Sequence, residues 1–317
     1  MQNRLKRTTI VILLVFIAVL FILPRVTAQY FSIFLYQLFL YMVLAVSYDI
    51  LGGYAGYINL GHSYFFGIGG YTFGIMANKS FGIVASIMGG MGAALCFCFL
   101  ISYPFFRLRG AYFALANLGL IILLSLLAHN LEWLTGGANG LFIPISYSLN
   151  GIYYSSLILC LLTVLLSYGI GKSKFGLALV SIRADEDAAR SFGINTFGYK
   201  LTAMVFGALP SSMAGCIFAW ALTYINPAAL LGFDVTFMAV TMAMLGGTGF
   251  FAGPILGCVS ISVIQEVLWT QMPYLHLAVY GLVLIFVGLY IPGGVIRTRP
   301  FRKALAAIGL SERLYLV

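Results

Sequence analysis

The sequence predicts an all-α polytopic membrane protein, and three observations carry that prediction. Of 317 residues, 62% are hydrophobic and only 8% are charged, with a mean hydropathy of +1.04. Apolar runs long enough to cross a bilayer recur along the whole chain. The basic residues fall in alternate gaps between those runs. A soluble domain of this length carries about a quarter of its residues as charges to solvate its surface, which excludes that class. The net charge of +9 reflects scarce acids as much as plentiful bases, so it does not mark a nucleic-acid binder.

A crossing helix needs about 20 predominantly apolar residues. Charges and glycine or proline clusters delimit runs at 8–23, 30–51, 61–77, 82–103, 111–128, 152–170, 201–222, 235–246, 254–270 and 274–291. Hydrocarbon cannot satisfy backbone N–H and C=O groups, and the alternation of a barrel strand is absent, so these runs are expected to be helices. The eighth is too short to cross upright by itself. With the N-terminus in the cytoplasm, fifteen of the seventeen Lys and Arg residues fall inside, leaving Arg25 and Lys79 outside. Reading 235–270 as a single crossing would carry the basic tail at 297–317 to the outside. Ten segments are therefore expected, with both termini cytoplasmic, in one domain spanning 1–317 whose longest inside loop is 172–200.

Arg4, Lys6 and Arg7 precede the first run, and Val26-Thr27-Ala28 has the letters of a signal-peptide cleavage site. Pro24 and Arg25 are poor neighbours for processing, so an uncleaved first helix is expected. The five cysteines all lie inside apolar runs and suit packing better than a disulfide or metal framework. Gly171-Lys172-Ser173 lacks both the earlier glycine and the preceding strand of a P-loop. Gly247-Thr248-Gly249-Phe250-Phe251-Ala252 spells a dinucleotide fingerprint between membrane runs, where a helix break is the better reading. His62, His129 and His276 are scattered, and no catalytic or metal motif is present. An enzyme is therefore the weaker expectation, and no catalytic or metal site is expected on this chain.

Two helix breaks resemble one another. Leu51-Gly52-Gly53-Tyr54-Ala55-Gly56, continuing through Asn59 to His62, and Leu245-Gly246-Gly247-Thr248-Gly249, continuing to Gly253-Pro254, share the pattern Leu-Gly-Gly-x-[Ala/Thr]-Gly, one in each half. Paired interruptions of this kind point to a translocation pathway, because freed backbone groups can line a wet cavity. Asn59, His62, Gly246, Gly247 and Gly249 are candidates for it. Close helix packing by Gly249, Gly253 and Gly257 is the competing explanation. Glu266, a carboxylate well inside an apolar run, is a further pathway candidate; bonding a helix neighbour such as a tyrosine hydroxyl, or lying near the outer rim beside Trp269, are the alternatives. Asp49, ending the second run, is expected to partner a broken loop.

The inside loop 172–200 holds Asp185, Glu186 and Asp187, three of the eight acids in the chain. Leu179, Ile182, Ala189 and Phe192 fall near one helical face, and Gly193 is placed as a C-terminal cap. A short amphipathic helix of this kind suits docking to a soluble partner.

Here the sequence resembles a known family. Glu186-Asp187-Ala188-Ala189-Arg190-Ser191-Phe192-Gly193-Ile194-Asn195 is similar to the E-x-A-A-x-x-x-G-I-N stretch of LivM-type permeases, subunits of ABC importers for branched-chain amino acids. Ordered agreement continues at Phe65-Phe66-Gly67-Ile68-Gly69-Gly70-Tyr71, Arg107-Leu108-Arg109-Gly110-Ala111-Tyr112, Thr135-Gly136-Gly137-Ala138-Asn139-Gly140 and Ile225-Asn226-Pro227. The resemblance implies a type II ABC importer permease fold in a bacterial or archaeal cytoplasmic (inner) membrane. It implies a homologous LivH-like permease, two cytoplasmic ATP-binding subunits and an extracytoplasmic substrate-binding protein as partners. ATP-Mg would be bound by those partner subunits, with no cofactor on this chain. It also implies that a helix at 184–193 is the coupling helix, with Glu186, Ala188, Ala189, Gly193 and Asn195 in contact with the motor. Urea and short-chain amide importers use similar permeases, so those cargoes stand beside branched-chain amino acids. A secondary transporter is the alternative of a different class.

Overall fold

The computed structural model describes residues 17–271, together with Val15, Leu282, Ile285 and Gly294. The first run lies only partly within this range. The tenth run and the basic tail lie outside it, apart from Leu282 and Ile285. Helix α1 spans Gln29–Gly52, α2 Ser63–Asn78, α3 Ile83–Phe105, α4 Ala111–Asn130 and α5 Glu132–Thr135. Then follow α6 at Leu149–Lys172, α7 at Lys174–Ala184, α8 at Glu186–Ser191 and α9 at Thr196–Leu222. Helices α10 (Pro227–Leu231), α11 (Phe233–Gly246) and α12 (Ala252–Gln271) complete the described chain.

Six helical stretches among the described residues are long and apolar enough to cross a membrane: α1, α3, α4, α6, α9, and α10 with α11 taken together. That last pair answers the puzzle of the short eighth run. Pro227 starts a helical turn, Gly232 bends it, and the joined stretch Pro227–Gly246 reaches 20 residues. Helix α2 has 16 residues, because the chain before it stays irregular as far as His62.

These helices are apolar all round, so no single amphipathic stripe decides which face is buried. Burial is decided by shape. Helix α1 is buried almost continuously from Leu38 to Leu51, and α9 packs against α1, α2, α3 and α6. In lipid the hydrophobic effect does not drive helices together, and close van der Waals approach must do so. A Cβ on Gly69 would overlap the carbonyl of Ser212, and one on Gly215 would overlap that of Phe66. The α2–α9 crossing is therefore backbone against backbone. The α11–α12 contact is tighter still: Gly246 faces the carbonyl of Gly253, Gly253 that of Gly247, and Gly257 that of Met242.

The two ends of the bundle differ in chemistry. At one end, Leu141–Phe142 (β1) pairs antiparallel with Tyr224–Ile225 (β2), in the register Leu141↔Ile225 and Phe142↔Tyr224. Asn78 donates to the Phe142 carbonyl at 2.7 Å and Trp220 to that of Ser146 at 3.2 Å, while Tyr224 donates to the Asn139 carbonyl at 2.9 Å in the glycine-rich 135–140 loop. Lys79 and Arg25 belong to this end. Arg107, Arg109, Lys172, Lys174, Arg183, Arg190 and Lys200 gather at the other, beside the C-terminus of α1. Gly294 lies against Gly246 and Gly247 at this same basic end.

Substituting Gly253 by Ala places a methyl group in the Gly247 carbonyl and should destabilise the fold by about 1–3 kcal/mol. Gly119→Ala, on a face with nothing within 4 Å, should leave stability within about 1 kcal/mol. Thermal unfolding of the two variants in detergent checks the contrast, and equal behaviour would contradict the packing.

Candidate functional site

The inside loop folds as two helices, which corrects the single helical face expected from Leu179 to Phe192; α8 itself lies within the expected 184–193. The break falls at Asp185, whose carboxylate accepts from the amides of Asp187 and Ala188, each at 2.9 Å, and so caps α8. Acids at the start of a helix are favoured by its dipole, which explains why Glu186 and Asp187 follow immediately. Gly193 ends α8 at φ +85°, with the Ile194 amide reaching back to the Ala189 carbonyl at 3.1 Å, as the sequence indicated. Leu179, Ile182 and Ala189 are buried against the end of α1. Phe192 departs from that face: it is 88% exposed and projects from the tip of the loop. The break rotates α8 away from the face that α7 presents.

Of the residues implied to meet a motor, Ala188 and Gly193 are exposed and Ala189 is buried. Asn195 is exposed and caps α9, accepting from the Gly198 amide at 3.1 Å. Glu186 turns inward. One oxygen takes the Lys200 ammonium at 2.7 Å and the other accepts from the Tyr57 hydroxyl. Lys200 is 2% exposed; it also bonds Tyr57 at 3.0 Å and lies over its ring, 4.5 Å from the centroid. Arg190 adds a longer contact to Glu186 at 3.5 Å. Burial pushes the Glu186 carboxyl up, but the bonds from Lys200 and Tyr57 outweigh it and hold the group below the usual carboxylate range. Asp187 makes a bidentate pair with Arg109, at 2.8 Å for both bonds, and this pair lowers its proton affinity. The loop is thus fastened to the α3–α4 connection by one acid and to α9 and the 53–57 turn by the next.

The two glycine breaks, separate in sequence, are brought together. Asp49 in the last turn of α1 accepts from the Gly249 amide at 2.9 Å, and a Cβ on Gly53 would lie in the path of that carboxylate. Asp49 does partner a broken loop, and it is the loop of the other half. Gly247 and Gly249 take φ values of +112° and +85° there, while Gly246 serves the α11–α12 contact. Arg183 of α7 donates to the Gly53 carbonyl at 2.7 Å, so the inside loop grips the first break directly.

Asn59 and His62 lie deeper. Asn59 accepts from the Gly61 amide at 3.0 Å and donates to the Tyr64 hydroxyl at 3.1 Å, which in turn donates to Asn117 at 2.9 Å. His62 Nε2 lies 2.9 Å from the Ser47 hydroxyl, between the rings of Tyr48 and Phe65. Both side chains are buried and hydrogen-bonded within this chain. Irregular backbone at such depth is tolerated because protein surrounds it. Glu266 is remote from all of these, accepting from the Tyr30 hydroxyl near the opposite end. With Gln37, Tyr41, Ser262 and Gln265 it borders a small polar groove between α1 and α12.

Lys200, Tyr57, Arg183 and Asn117 were missed as site residues by sequence reasoning. Lys200 alone left a signal: a base placed four residues inside a helix that becomes apolar at once. No spacing rule links it to Glu186 or Tyr57, which belong to different elements. Among the described residues, no three His, Cys, Asp or Glu side chains could hold a metal ion together. Gly171-Lys172-Ser173 lies at the junction of α6 and α7, where Ser173 caps α7 by accepting from the Gly176 amide.

Comparison with known proteins adds independent information. The profile of the family described as "Branched-chain amino acid transport system / permease component" matches residues 30–288. The high-affinity branched-chain amino acid transport system permease protein LivM of Escherichia coli (strain K12) is 27% identical over 300 residues, covering 83% of this chain and 69% of that protein. LivM of Salmonella typhimurium gives the same identity and coverage. The autoinducer 2 import system permease protein LsrC of Yersinia enterocolitica is 28% identical over 213 residues, covering 64% of this chain and 58% of that protein. No solved structure matches the chain.

Lys200→Met strands the Glu186 carboxylate and should cost about 3–5 kcal/mol, with most of the loss recovered in Lys200→Met/Glu186→Gln. Because the Glu186 carboxyl is held below its unfolded value, its contribution is complete above about pH 4.3 and is lost as pH falls through the folded value. A flatter acid limb of stability against pH in Glu186→Gln checks the sign.

Proposed function

The chain belongs to the branched-chain amino acid transport system permease family, and on that premise we propose that it is the membrane-spanning subunit of an ATP-driven importer of branched-chain amino acids. It is a multi-pass membrane protein, and its place is the cytoplasmic membrane of the cell. The basic end of the bundle faces the cytoplasm, in keeping with the charge asymmetry of the chain, and ten crossings leave both termini there. A homologous permease, two ATP-binding subunits and an extracytoplasmic binding protein complete the transporter, with ATP-Mg held by the ATP-binding subunits.

The observation that carries this reading is the α7–α8 loop. It is held from beneath by Arg109 and Lys200 and by the bond of its own Arg183 to Gly53, yet it presents Phe192, Ala188 and Gly193 outward. A large exposed aromatic on a fastened, protruding loop is the anatomy of an anchor that fills a pocket on a partner. Glu186, Ala189 and Asn195 hold the loop in shape rather than touch the partner. On the translocation side, Gly246, Gly247 and Gly249 supply the hinge-like break, Asn59 and His62 brace the first break, and Glu266 marks the opposite mouth.

Cargo is supported by the LivM relatives. The LsrC relatives favour a second reading, in which the same machinery carries another small polar molecule. Urea and short-chain amides belong to the same test.

Vesicles containing this chain alone should take up no leucine. Those with the second permease, both ATP-binding subunits and the binding protein should do so only with ATP. Ion-gradient-driven uptake by the chain alone would establish a secondary transporter instead. Competition among leucine, urea, acetamide and autoinducer 2 separates the cargo readings. Phe192→Ala should reduce retention of the ATP-binding subunits about tenfold or more without loss of folded protein, and unchanged retention would remove Phe192 from the interface.

A further inference from the structure

We infer that Asp49 is a positioning residue that joins the two glycine breaks into one latch, and that the inside loop moves both breaks through it. The inference deepens the importer reading, because it names how a pull on the α7–α8 loop reaches the second half of the chain.

The mechanical path is short and made of named contacts. Arg183 on α7 holds the Gly53 carbonyl at 2.7 Å, and its Cγ packs against Gly56, which turns the chain at φ +74°. Glu186 on α8 holds the Tyr57 hydroxyl. The 53–57 turn is therefore gripped at both ends by the loop that moves. The turn is itself folded back onto Asp49: the amides of Gly53 and Tyr54 both donate to the Asp49 carbonyl, at 2.8 and 3.0 Å. The Asp49 side chain then crosses to the Gly249 amide at 2.9 Å, 200 residues away. Any rotation of Gly53 displaces the main chain that carries this carboxylate.

Two further facts argue against a merely decorative bond. An acid in the last turn of a helix is disfavoured by the helix dipole, and a fully buried one is costly. Asp49 tolerates both, and among the described residues its second oxygen, Oδ2, has no hydrogen-bond partner. The single bond made by Oδ1 is what the position obtains in return. Second, the approach is built around it: a Cβ on Gly53 would collide with Oδ1 and come within 2.5 Å of the Gly249 nitrogen. Beyond Gly249, the break touches Gly294 through Gly246 and Gly247, so three glycine-bearing segments converge where the latch closes.

The test uses amide hydrogen exchange on the full chain in nanodiscs, without and with the ATP-binding subunits. Asp49→Leu should accelerate exchange of the 245–251 segment about tenfold, the scale of a lost buried hydrogen bond. Asp49→Asn keeps an acceptor for Gly249 and should restore slow exchange. Arg183→Ala should loosen 53–57 and 245–251 together, and the second effect should vanish in the Asp49→Leu background, a non-additivity that unconnected sites do not show. Exchange at 245–251 that ignores Asp49→Leu, or that responds to Arg183→Ala equally with and without Asp49, would overturn the latch. In the assembled transporter, Asp49→Leu should retain the ATP-binding subunits and their basal hydrolysis while transport per ATP falls at least tenfold. Unchanged transport per ATP would also overturn it. Failure of the wild-type chain to bind any ATP-binding subunit would instead remove the importer reading, leaving the exchange result to stand or fall by itself.

Discussion

A carboxylate at the wrong end of a helix organises the basic end of this protein. Asp49 closes α1, where the dipole repels it, and reaches across to the amide of Gly249. For that bond to form, α1 must stop at Gly52, Gly53 must lack a side chain, and the chain after α11 must open at Gly247 and Gly249. The irregular stretch before α2 and the break before α12 are two consequences of one constraint. Backbone freed by a helix break has to find partners inside the protein, since lipid offers none. The end of α1 supplies one to the second break through Asp49, and Arg183 supplies one to the first.

The same end carries the only dense set of charges among the described residues, and their arrangement is hierarchical. Lys200 is drawn out of the aqueous phase because Glu186, Tyr57 and the faces of Tyr57 and Phe106 replace its hydration. Asp187 and Arg109 remain exposed, so their pair contributes orientation more than stability. Buried and exposed pairs together hold α8 rigid from below, which leaves Phe192 as its outward feature. A loop that is stiff toward the membrane and presents one large aromatic to water is suited to carry force between two bodies.

Elsewhere the bundle is held by shape. The α2–α9 and α11–α12 crossings bring main chain against main chain through Gly69, Gly215, Gly246, Gly253 and Gly257. For Gly253 and Gly257 the packing explanation, held open against a pathway role at the level of sequence, is the one the geometry supports. Asn59 and His62 show a similar shift of emphasis. Polar groups at a break do need partners, and here Tyr64, Gly61 and Ser47 provide them.

The sequence by itself determined the class of the protein, its helical and apolar character and the clustering of its charges, because each of these is written in one-dimensional composition and run length. It also determined the family, through ordered short motifs, and the Gly193 cap, through the local preference of a left-handed turn. It placed Asp49 beside a broken loop but could not say which one. It put Phe192 on the packed face, because a periodic pattern assumes an unbroken helix and Asp185 breaks this one by capping the next. Only the tertiary structure decided that Lys200 and Tyr57 belong with Glu186, that Arg183 holds Gly53, and that Asp49 reaches Gly249. Those pairings join residues up to 200 positions apart, and they follow from which helices cross. In an apolar bundle with no polar stripe to set the rotation of each helix, that choice is made by close packing at glycine, and packing is a property of the assembled chain.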